Sequence, residues 1–526
     1  MNNKILITNL GALKTKYGTA GIKEINTSIK TLIEADKARG LTTQLVALDS
    51  IAAMKRVDGK NVTNPTDPKQ NKVAIDAVCS ALVPDYLLIL GATDVVPHQD
   101  LRNPMFGSDD PDEFAFGDVP YACAAPYSQE PKDFVGPTRV VGRLPDLTGA
   151  SDPAYLIDLL GVAAKWKSLT AADYAGYLAV SAEVWKESTA LSLQKLFGSS
   201  TDLSLSPPKG PQWDSQMLSN RVHFVNCHGA PADPKFYGQR GSSYPVAHEA
   251  AYVDGKITEG TVASIECCYG AELYDPSLAG GQAGICSTYL AGKAYGYFGS
   301  TTIAYGPAIG NGAADLLCQY FLRRIIVGAS LGRAALEARL EFAGSAPELD
   351  PVDLKTLAQF NLLGDPSIHP VAMQVPQTAL VQLKGLPGAS KTVRAEASDA
   401  AVARTDRRRQ LLARGLRIGA TQAVATKIAR PKLAGPVLRA LKKVASKLKI
   451  SEPKILSFKV ESPAVPKGRL AKSMKSDAMA KLAPPSGFHV VTGTERVSEI
   501  RVPQIVAVVA KEVAGKIISY REMHSR

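Results

Sequence analysis

The stretch DYLLILGATDVVP, residues 85–97, decides the fold class, because five apolar or aromatic residues precede Gly91 without a polar break. A strand that is buried on both faces has such a continuous run, whereas a strand with one face in solvent alternates apolar and polar residues. Strands of the first kind occur where helices cover both sides of a parallel sheet. The stretch therefore predicts a central strand of an α/β fold.

The N-terminal segment has the alternation of strands and helices that such a sheet requires. Residues 4–10 and 42–49 are short apolar runs, and apolar residues near helical spacing predict a helix over residues 20–40. These apolar residues are Ile22, Ile25, Ile29, Leu32 and Ile33. A second helix over residues 69–83 leads into the central strand, so the order is typical of an α/β sheet.

Charge divides the chain unevenly and indicates a boundary. The net charge is +12, but residues 381–526 hold 30 Lys and Arg against 10 Asp and Glu, which leaves 31 against 39 in residues 1–380. The length of 526 residues also exceeds that of one ordinary domain. We predict an N-terminal α/β subdomain (1–150), a catalytic subdomain (151–375), a basic Ala/Lys/Arg-rich extension or linker (376–485) and a small C-terminal α/β element (486–526).

The cysteines and the apolar runs indicate a cytoplasmic protein without a membrane partner. The seven cysteines are unevenly spaced, and the N-terminus MNNKILITNL does not resemble a secretion signal. We therefore expect reduced thiols in a cytoplasm. No run of about 18 uninterrupted apolar residues occurs, so the sequence predicts no membrane span. The spacing of the cysteines also disfavours a structural zinc site.

Two predicted strands end in residues that can carry out chemistry. FVNCHGA (224–230) brings His228 after one strand, and SIECCYGA (264–271) brings Cys267 and Cys268 after another. The carboxyl ends of parallel strands share one edge of a sheet, where ligands bind. An imidazole beside a thiol makes the thiolate available at neutral pH. The N–H of Gly229, unobstructed by a side chain, can donate to a developing oxyanion.

Each motif alone has a simpler interpretation. A histidine after a strand is most often a satisfied edge residue, and a cysteine in an apolar run is most often part of the core. Both motifs occur here with the same apolar strand before them and a glycine behind them. This combination favours a Cys–His dyad.

An ordered set of segments resembles the caspase-like (clan CD) cysteine peptidases, and within them the gingipain family. The set covers about residues 1–372, and nothing after about residue 380 resembles the family. The segments are YLLILGATDVVP (86–97), GDVPYACAAP (117–126), VVGRLPDLTGASDPAYLIDLL (140–160), VHFVNCHGAPADPKF (222–236), VASIECCYGAEL (262–273) and FNLLGDPSIHP (360–370).

The resemblance implies a cysteine endopeptidase with a caspase-like, mostly parallel sheet flanked by helices. By position, His228 would be the general base and acid, and Cys267 or Cys268 the acyl-enzyme nucleophile. The N–H groups of Gly229 and of that cysteine would form the oxyanion hole. The substrate would be a protein or peptide, and no catalytic metal or organic cofactor is required.

The resemblance leaves two candidates for the nucleophile. Most clan members have a glycine three residues after it, which selects Cys267 through Gly270, whereas the caspase spacing of two residues selects Cys268. In this group a small residue normally precedes the nucleophile. The residue before Cys268 is the small Cys267, whereas the residue before Cys267 is the larger Glu266. We therefore favour Cys268 and keep Cys267 as the alternative nucleophile.

Two carboxylates are candidates for the substrate pocket. With Cys268 as nucleophile, Glu266 lies where relatives carry a residue that lines the specificity pocket. Asp118, in an Asp-x-x-Tyr loop, would line the pocket or orient the imidazole, and Asp94 is a second candidate for orientation. Either pocket carboxylate would favour cleavage after Lys or Arg. In the simpler interpretation Glu266 pairs with a local base, and the Asp-rich loop 107–114 is solvated or holds a structural Ca²⁺.

The basic C-terminal region has three interpretations. Residues 404–419 and the amphipathic segment 436–450 would form a solvated extension, an electrostatic surface for nucleic acid or an acidic partner, or an autoprocessing site or pseudo-substrate. A rival to the peptidase function is a non-catalytic caspase-like scaffold that binds a partner or nucleic acid through this region. A third hypothesis is an enzyme that a separate protein or ligand must switch on.

Overall fold

The protein is described here by a computed structural model that covers residues 2–372, 406–450, 452–462, 485–495 and 503–526. Its strands are β1 (Asn2–Thr8), β2 (Leu41–Ala47), β3 (Tyr86–Leu90), β4 (Gln99–Arg102), β5 (Phe114–Gly117), β6 (Val141–Leu144), β7 (Tyr177–Ala182), β8 (Leu203–Ser206), β9 (Val222–Asn226), β10 (Lys235–Tyr237), β11 (Val246–Glu249), β12 (Val262–Ile265), β13 (Gly296–Ser300), β14 (Tyr305–Gly306), β15 (Glu348–Leu349), β16 (Phe360–Leu363), β17 (Ala423–Lys427), β18 (Lys454–Glu461), β19 (Ser486–Glu495), β20 (Gln504–Val513) and β21 (Lys516–Ser525).

Helices cover both faces of the main sheet. They are α1 (Leu10–Ala38), α2 (Ile51–Lys55), α3 (Pro68–Leu82), α4 (Ala154–Lys165), α5 (Lys186–Phe197), α6 (Ser215–Leu218), α7 (Ala250–Val253), α8 (Ile285–Ala291), α9 (Ala313–Ile326), α10 (Leu331–Ala343), α11 (Pro351–Gln359), α12 (406–421) and α13 (Gly435–Lys447). Among the described residues, no helix has both the length and the apolar character needed to cross a membrane.

The main sheet has ten strands in the order β2-β1-β3-β6-β16-β13-β12-β9-β7-β8. The first five are parallel to one another, as are the last five. The two halves meet where β16 runs antiparallel to β13. The fold is therefore a mixed α/β architecture with a large, mostly parallel central sheet, as predicted.

The stretch that predicted the fold lies inside this sheet. Its apolar run is β3, between β1 and β6, and Leu87 to Leu90 are buried. The chain turns at Gly91, where φ is +120° and a Cβ would lie 2.6 Å from Cβ of Val95. Only glycine adopts this conformation without strain.

The first predicted helix is longer than the sequence pattern indicated. It begins at Leu10, not near residue 20, and contains an irregular Gly18 with φ +66°. Leu13 and Tyr17 extend the buried face of Ile25 and Ile29 towards the N-terminus. Glycine and polar residues between them obscured this periodicity in the sequence.

Two apolar clusters lie on opposite faces of the sheet. We call the side that packs against α1, α3, α4 and α8 the α1 face, and the side that packs against α5, α9, α10 and α11 the α9 face. Val225 and Ile265 contribute to the α1 face, whereas Phe224 and Val262 contribute to the α9 face. Successive side chains of a strand thus alternate between the two clusters.

The C-terminal strands complete a second sheet together with earlier segments. Its order is β14-β21-β20-β19-β18-β17-β15. Strands of the predicted element at 486–526 form part of this sheet. Strand β19 pairs with β18 of the predicted linker, β18 pairs in turn with β17, and β21 pairs with β14 of the predicted catalytic subdomain. The pairing strands β14 and β15 have two residues each, too few to appear as a pattern in the sequence.

The basic segments fold onto the rest of the chain in this structure. In α12, Arg408 forms an ion pair of 2.6 Å with Asp85, and Ile418 is buried on the α9 face. Helix α13 packs Val437 and Leu441 against the C-terminal sheet. The described residues of the basic region therefore form helices with one buried side, which differs from the interpretation of this region as a solvated extension.

Candidate active site

The segments that contain His228 and Cys268 lie side by side. Strands β9 and β12 are parallel neighbours, with Val225 opposite Ile265. His228 and Cys268 therefore follow the same edge of the sheet at equivalent positions. Both strands belong to the main sheet and end at the same edge of it, as the sequence indicates for parallel strands.

Gly229 brings the two segments into direct backbone contact. A Cβ at this position would lie 1.9 Å from the carbonyl oxygen of Cys268, a distance that no side chain could tolerate. A glycine after the histidine is thus needed for the backbones to approach this closely.

The two cysteines point into different surroundings. Cys267 lies in the cluster of the α1 face, and its sulfur is 4.0 Å from the carbonyl oxygen of Val225. Cys268 lies on the α9 face, and its sulfur accepts a hydrogen bond of 3.2 Å from the N–H of Ala304. Neighbouring side chains of an extended segment point to opposite faces of the sheet, so Cys267 and Cys268 lie on opposite sides.

Gln239 determines which nitrogen of His228 carries the proton. The Gln239 amide nitrogen donates to the carbonyl oxygen of Gly241 (3.1 Å) and to the hydroxyl of Tyr244 (2.7 Å). Its oxygen, 2.8 Å from Nε2 of His228, therefore accepts, which favours the tautomer with the proton on Nε2 and the lone pair on Nδ1. Sequence reasoning missed Gln239, since it lies in a loop with no motif.

His228 is enclosed and uncharged. Its ring centroid lies 4.3 Å from that of Trp185 and 5.2 Å from that of Tyr244. Burial, together with the positive charge of Arg526, lowers the pKa of His228 to about 3. Hydrogen bonding to Gln239 acts in the opposite direction but does not compensate.

Both thiols are also uncharged in this arrangement. Burial raises the pKa of Cys268 to about 12, and it raises the pKa of Cys267 well above its ordinary value. Hydrogen bonding to the backbone at Ala304 lowers the pKa of Cys268 only in part. The closed site therefore contains a neutral imidazole and a neutral thiol.

One carbonyl oxygen accepts from both predicted oxyanion donors. The N–H of Cys268 donates to the carbonyl oxygen of Arg526 at 3.1 Å, and the N–H of Gly229 donates to the same oxygen at 3.3 Å. Two N–H groups that converge on one oxygen are the arrangement of an oxyanion hole.

The side chain of Arg526 fills a pocket beside this hole and is fully buried. Its guanidinium donates to Oδ1 of Asp315 at 3.0 Å and to the carbonyl oxygen of Pro307 at 2.8 Å. It also lies 4.3 Å from the ring centroid of Trp185, a cation–π contact. A Cβ on Gly306 would lie 2.2 Å from a guanidinium nitrogen, so this glycine leaves the room that the side chain needs.

Glu266 and Asp315 form the acidic part of the pocket. Glu266 is fully buried, and its burial next to the Asp315 carboxylate raises its pKa well above the ordinary value. Asp315 forms an ion pair of 3.0 Å with Arg526. Asp315 escaped the sequence analysis because it looks like a helix cap, and its Oδ2 does accept from the N–H of Gly312 at the start of α9.

Asp118 lies apart from these contacts. Arg143 donates to both of its oxygens, and the ring of His98 lies 3.0 Å from one of them. The imidazole partner of His228 is Gln239 and not Asp118, which corrects the expected orienting role. Asp94 pairs with Lys16 at 2.7 Å and does not orient the imidazole either.

The Asp-rich loop uses its carboxylates within the protein. Asp110 and Asp112 both pair with the buried ammonium of Lys355, and Asp112 also accepts from the hydroxyl of Tyr269 at 2.7 Å. Lys355 thus supplies a positive charge to the loop that the sequence predicts to be solvated or to hold a Ca²⁺. Within the described ranges, no group of three or more His, Cys, Asp or Glu side chains is arranged to hold a metal ion.

Comparisons with known proteins leave the function to be inferred from the site. No protein-family model matches the chain, and no curated protein matches it. One similar solved structure is described as "Structure of Protease"; it shares 11% sequence identity, with a TM-score of 0.44, over 99% of this chain and 97% of that one.

Proposed function

We propose that the protein is a cysteine endopeptidase of the caspase-like, gingipain-like type. The observation that carries this proposal is the convergence of two N–H groups, those of Gly229 and Cys268, on one carbonyl oxygen. An oxygen held by two N–H groups in this way is bound as the acyl oxygen of a substrate or of a cleaved product would be, and the thiol of Cys268 belongs to the same residue as one of the donors.

The reaction would proceed through a thioester. Nδ1 of His228 takes the proton of the Cys268 thiol, and the sulfur attacks the substrate carbonyl carbon. The C–N bond breaks as His228 gives that proton to the leaving amine. Water, deprotonated by His228, then attacks the thioester, which releases a carboxylic acid and restores the thiol.

Cys268 is the proposed nucleophile for a geometric reason. The carbonyl oxygen bound in the hole accepts from the N–H of Cys268 and not from that of Cys267. Cys267 instead packs into the core of the α1 face. Gly270, whose Cβ would lie 3.0 Å from the carbonyl oxygen of Cys267, serves the tight turn whichever cysteine reacts.

The pocket supports cleavage after a basic residue. Asp315 offers an oxygen to a guanidinium, Trp185 offers a π face, and Pro307 offers a carbonyl oxygen. A planar guanidinium can use all three, whereas an ammonium presents a single point of charge. Arginine would therefore be preferred over lysine at this position.

Active-site labelling tests the proposal. An arginyl acyloxymethyl ketone should alkylate Cys268 of the full chain, or of an Arg526→Ala variant in which the pocket is free. Mass mapping should find the label on Cys268 in the Cys267→Ala protein and no label in the Cys268→Ala protein. No modification of either thiol in the wild type and in Arg526→Ala would favour the scaffold function, and label retained in Cys268→Ala would exclude Cys268 as nucleophile.

A further inference from the structure

We infer that strand β21 is the chain's own occupant of its substrate groove, held there as the acyl half of a peptide substrate would be. Arg526 takes the position just before the scissile bond, and Ser525 and His524 take the two positions before it. The inference rests on the proposed function and adds a self-inhibited state of that same site.

The backbone of β21 binds as an added strand. β21 pairs antiparallel with β14, with Tyr305 opposite Ser525 and Gly306 opposite His524. The N–H of Arg526 donates to the carbonyl oxygen of Ala304 at 3.0 Å. Extended peptides are bound in this way at sheet edges, where main-chain hydrogen bonds give affinity and pockets give specificity.

The same short segment touches the nucleophile. Ala304 accepts from the N–H of Arg526 and donates its own N–H to the sulfur of Cys268. Ala304, directly before β14, therefore connects the groove to the proposed nucleophile. A peptide that pairs with β14 is delivered with its carbonyl at the oxyanion hole.

The environment of Arg526 is that of a ligand. Burying a guanidinium is unfavourable unless it is paired. Here the pairing groups are Asp315, Pro307 and Trp185, which all belong to the proposed pocket. A purely structural edge strand would account for the ladder, but not for a carbonyl oxygen shared by two oxyanion donors.

The rest of the strand keeps this occupant tethered. β21 pairs with β20 along nearly its whole length, Met523 is buried, and Arg521 forms an ion pair of 2.7 Å with Asp353. Binding of the tail is thus intramolecular, and its effective concentration is on the order of millimolar or higher. A substrate must displace Arg526 before the thiol can react.

Hydrolysis by tail variants of the full chain tests the inference. Arg526→Ala and Arg526→Glu empty the pocket, and Lys516→Ala, an exposed residue of the same strand, is the matched control. With a small arginyl amide as substrate, kcat/KM should rise at least tenfold in both Arg526 variants and stay at the wild-type value in Lys516→Ala. Measurable hydrolysis with kcat/KM unchanged from the wild type in the folded Arg526 variants would overturn the inference.

Ligand binding separates this inference from the proposed function. A labelled arginine amide, which needs only the side-chain pocket that Arg526 occupies, is titrated into an Arg526→Ala, Cys268→Ala double variant, so that no catalysis is required. The arginine amide should bind, and a glutamate amide with the same label should bind at least tenfold more weakly. Selective binding without any hydrolysis by the single variants would support Arg526 as the occupant of the pocket and refute the peptidase function. Hydrolysis without selective binding would support the peptidase function and refute Arg526 as the occupant.

Discussion

The backbone oxygen of Arg526 accepts a hydrogen bond of 3.1 Å from the backbone nitrogen of Cys268, although the strands that these residues follow, β21 and β12, belong to different sheets. The sheet edge beyond β9 and β12 and the end of β21 thus form a single site. The predictions that follow depend on this contact and on the groups around it.

Replacement of Gly229 by alanine should abolish activity. A Cβ would lie 1.9 Å from the carbonyl oxygen of Cys268, so the backbone must move and the two oxyanion donors separate. We expect at least a 100-fold loss of kcat, as when one such donor is removed, and a loss of about 1–3 kcal/mol in the free energy of unfolding.

The control for this change is Gly161→Ala in α4. No heavy atom lies within 4 Å of the Cβ that it would introduce. Alanine should stabilise this helix by about 0.5–1 kcal/mol and leave kcat unchanged. Wild-type activity of Gly229→Ala would show that the close approach is not needed for catalysis.

Asp315→Asn should weaken selection for arginine. Asparagine still caps α9 at Gly312 but removes the charge that pairs with the guanidinium. Loss of one partner of a buried charge pair costs about 2–5 kcal/mol, so kcat/KM for an arginyl substrate should fall at least about 30-fold. The Arg526→Ala background keeps the pocket open for this measurement.

Two comparisons make the Asp315 result specific. A substrate with citrulline, which is neutral, should lose much less kcat/KM than the arginyl substrate. Asp173→Asn, an exposed carboxylate that accepts from Thr170, should behave as the parent protein does. Equal losses for both substrates would assign Asp315 a structural role only.

Gln239 should act as a positioning residue for His228. Gln239→Leu removes the acceptor of the Nε2 proton, so the tautomer with the proton on Nδ1 becomes populated and the base is lost in part. We expect kcat to fall about 10-fold to 100-fold, within the range that general base catalysis contributes. The melting temperature and the activity of Gln216→Leu, an exposed residue of α6, serve as controls.

The pH profile distinguishes positioning from simple structural support. Gln239→Glu keeps an acceptor and adds a negative charge, which should raise the pKa of His228. The acid limb of kcat/KM against pH should then move to higher pH, with partial recovery of kcat relative to Gln239→Leu. An unmoved limb would contradict the contact between residue 239 and the imidazole.

A short peptide fused after Arg526 should be removed by the protein itself. The backbone oxygen of Arg526 lies between the two proposed oxyanion donors, so a peptide bond after Arg526 would take the proposed scissile position. Mass spectrometry should find the fusion cut after Arg526 in the wild type and intact in Cys268→Ala. An intact fusion in a wild-type protein that hydrolyses arginyl amides would refute autoprocessing at this position.

Buried histidines should make the protein less stable in acid. Burial lowers the pKa of His223 to about 4 and of His248 to about 3, against about 6.5 when unfolded. Below about pH 6.5 the unfolded chain binds protons that the native state does not, so the free energy of unfolding falls as pH falls. Each imidazole contributes about 1.4 kcal/mol per pH unit down to about pH 4.

Urea unfolding at several pH values measures this contribution. His248→Gln should reduce the slope of unfolding free energy against pH by the share of one imidazole, while Tyr289 keeps its contact with His223. At about pH 7 neither histidine contributes, so any difference there reports packing alone. Parallel curves for variant and wild type would refute the buried neutral state of His248.

The sequence by itself determined the sheet and the two ends that carry chemistry. The uninterrupted run at Leu87–Leu90 and the apolar strands before His228 and Cys268 are local patterns, since burial on both faces imposes composition on consecutive residues. Gly229 followed from the same motif. The proposal of Cys268 and not Cys267 as nucleophile depends on which face of the sheet each side chain occupies, because a shift of one residue moves a side chain to the opposite face.

Only the tertiary structure decided what surrounds that edge. Asp315 looks like a helix cap, Gln239 like a loop residue and Arg526 like one more charge in a basic region, because nothing in their sequence neighbours encodes a partner far along the chain. Sheet pairing between β14 and β21 brings the backbone oxygen of Arg526 to the N–H groups of Gly229 and Cys268. Local periodicity predicts elements, whereas long-range pairing assembles the pocket from residues that carry no local signal.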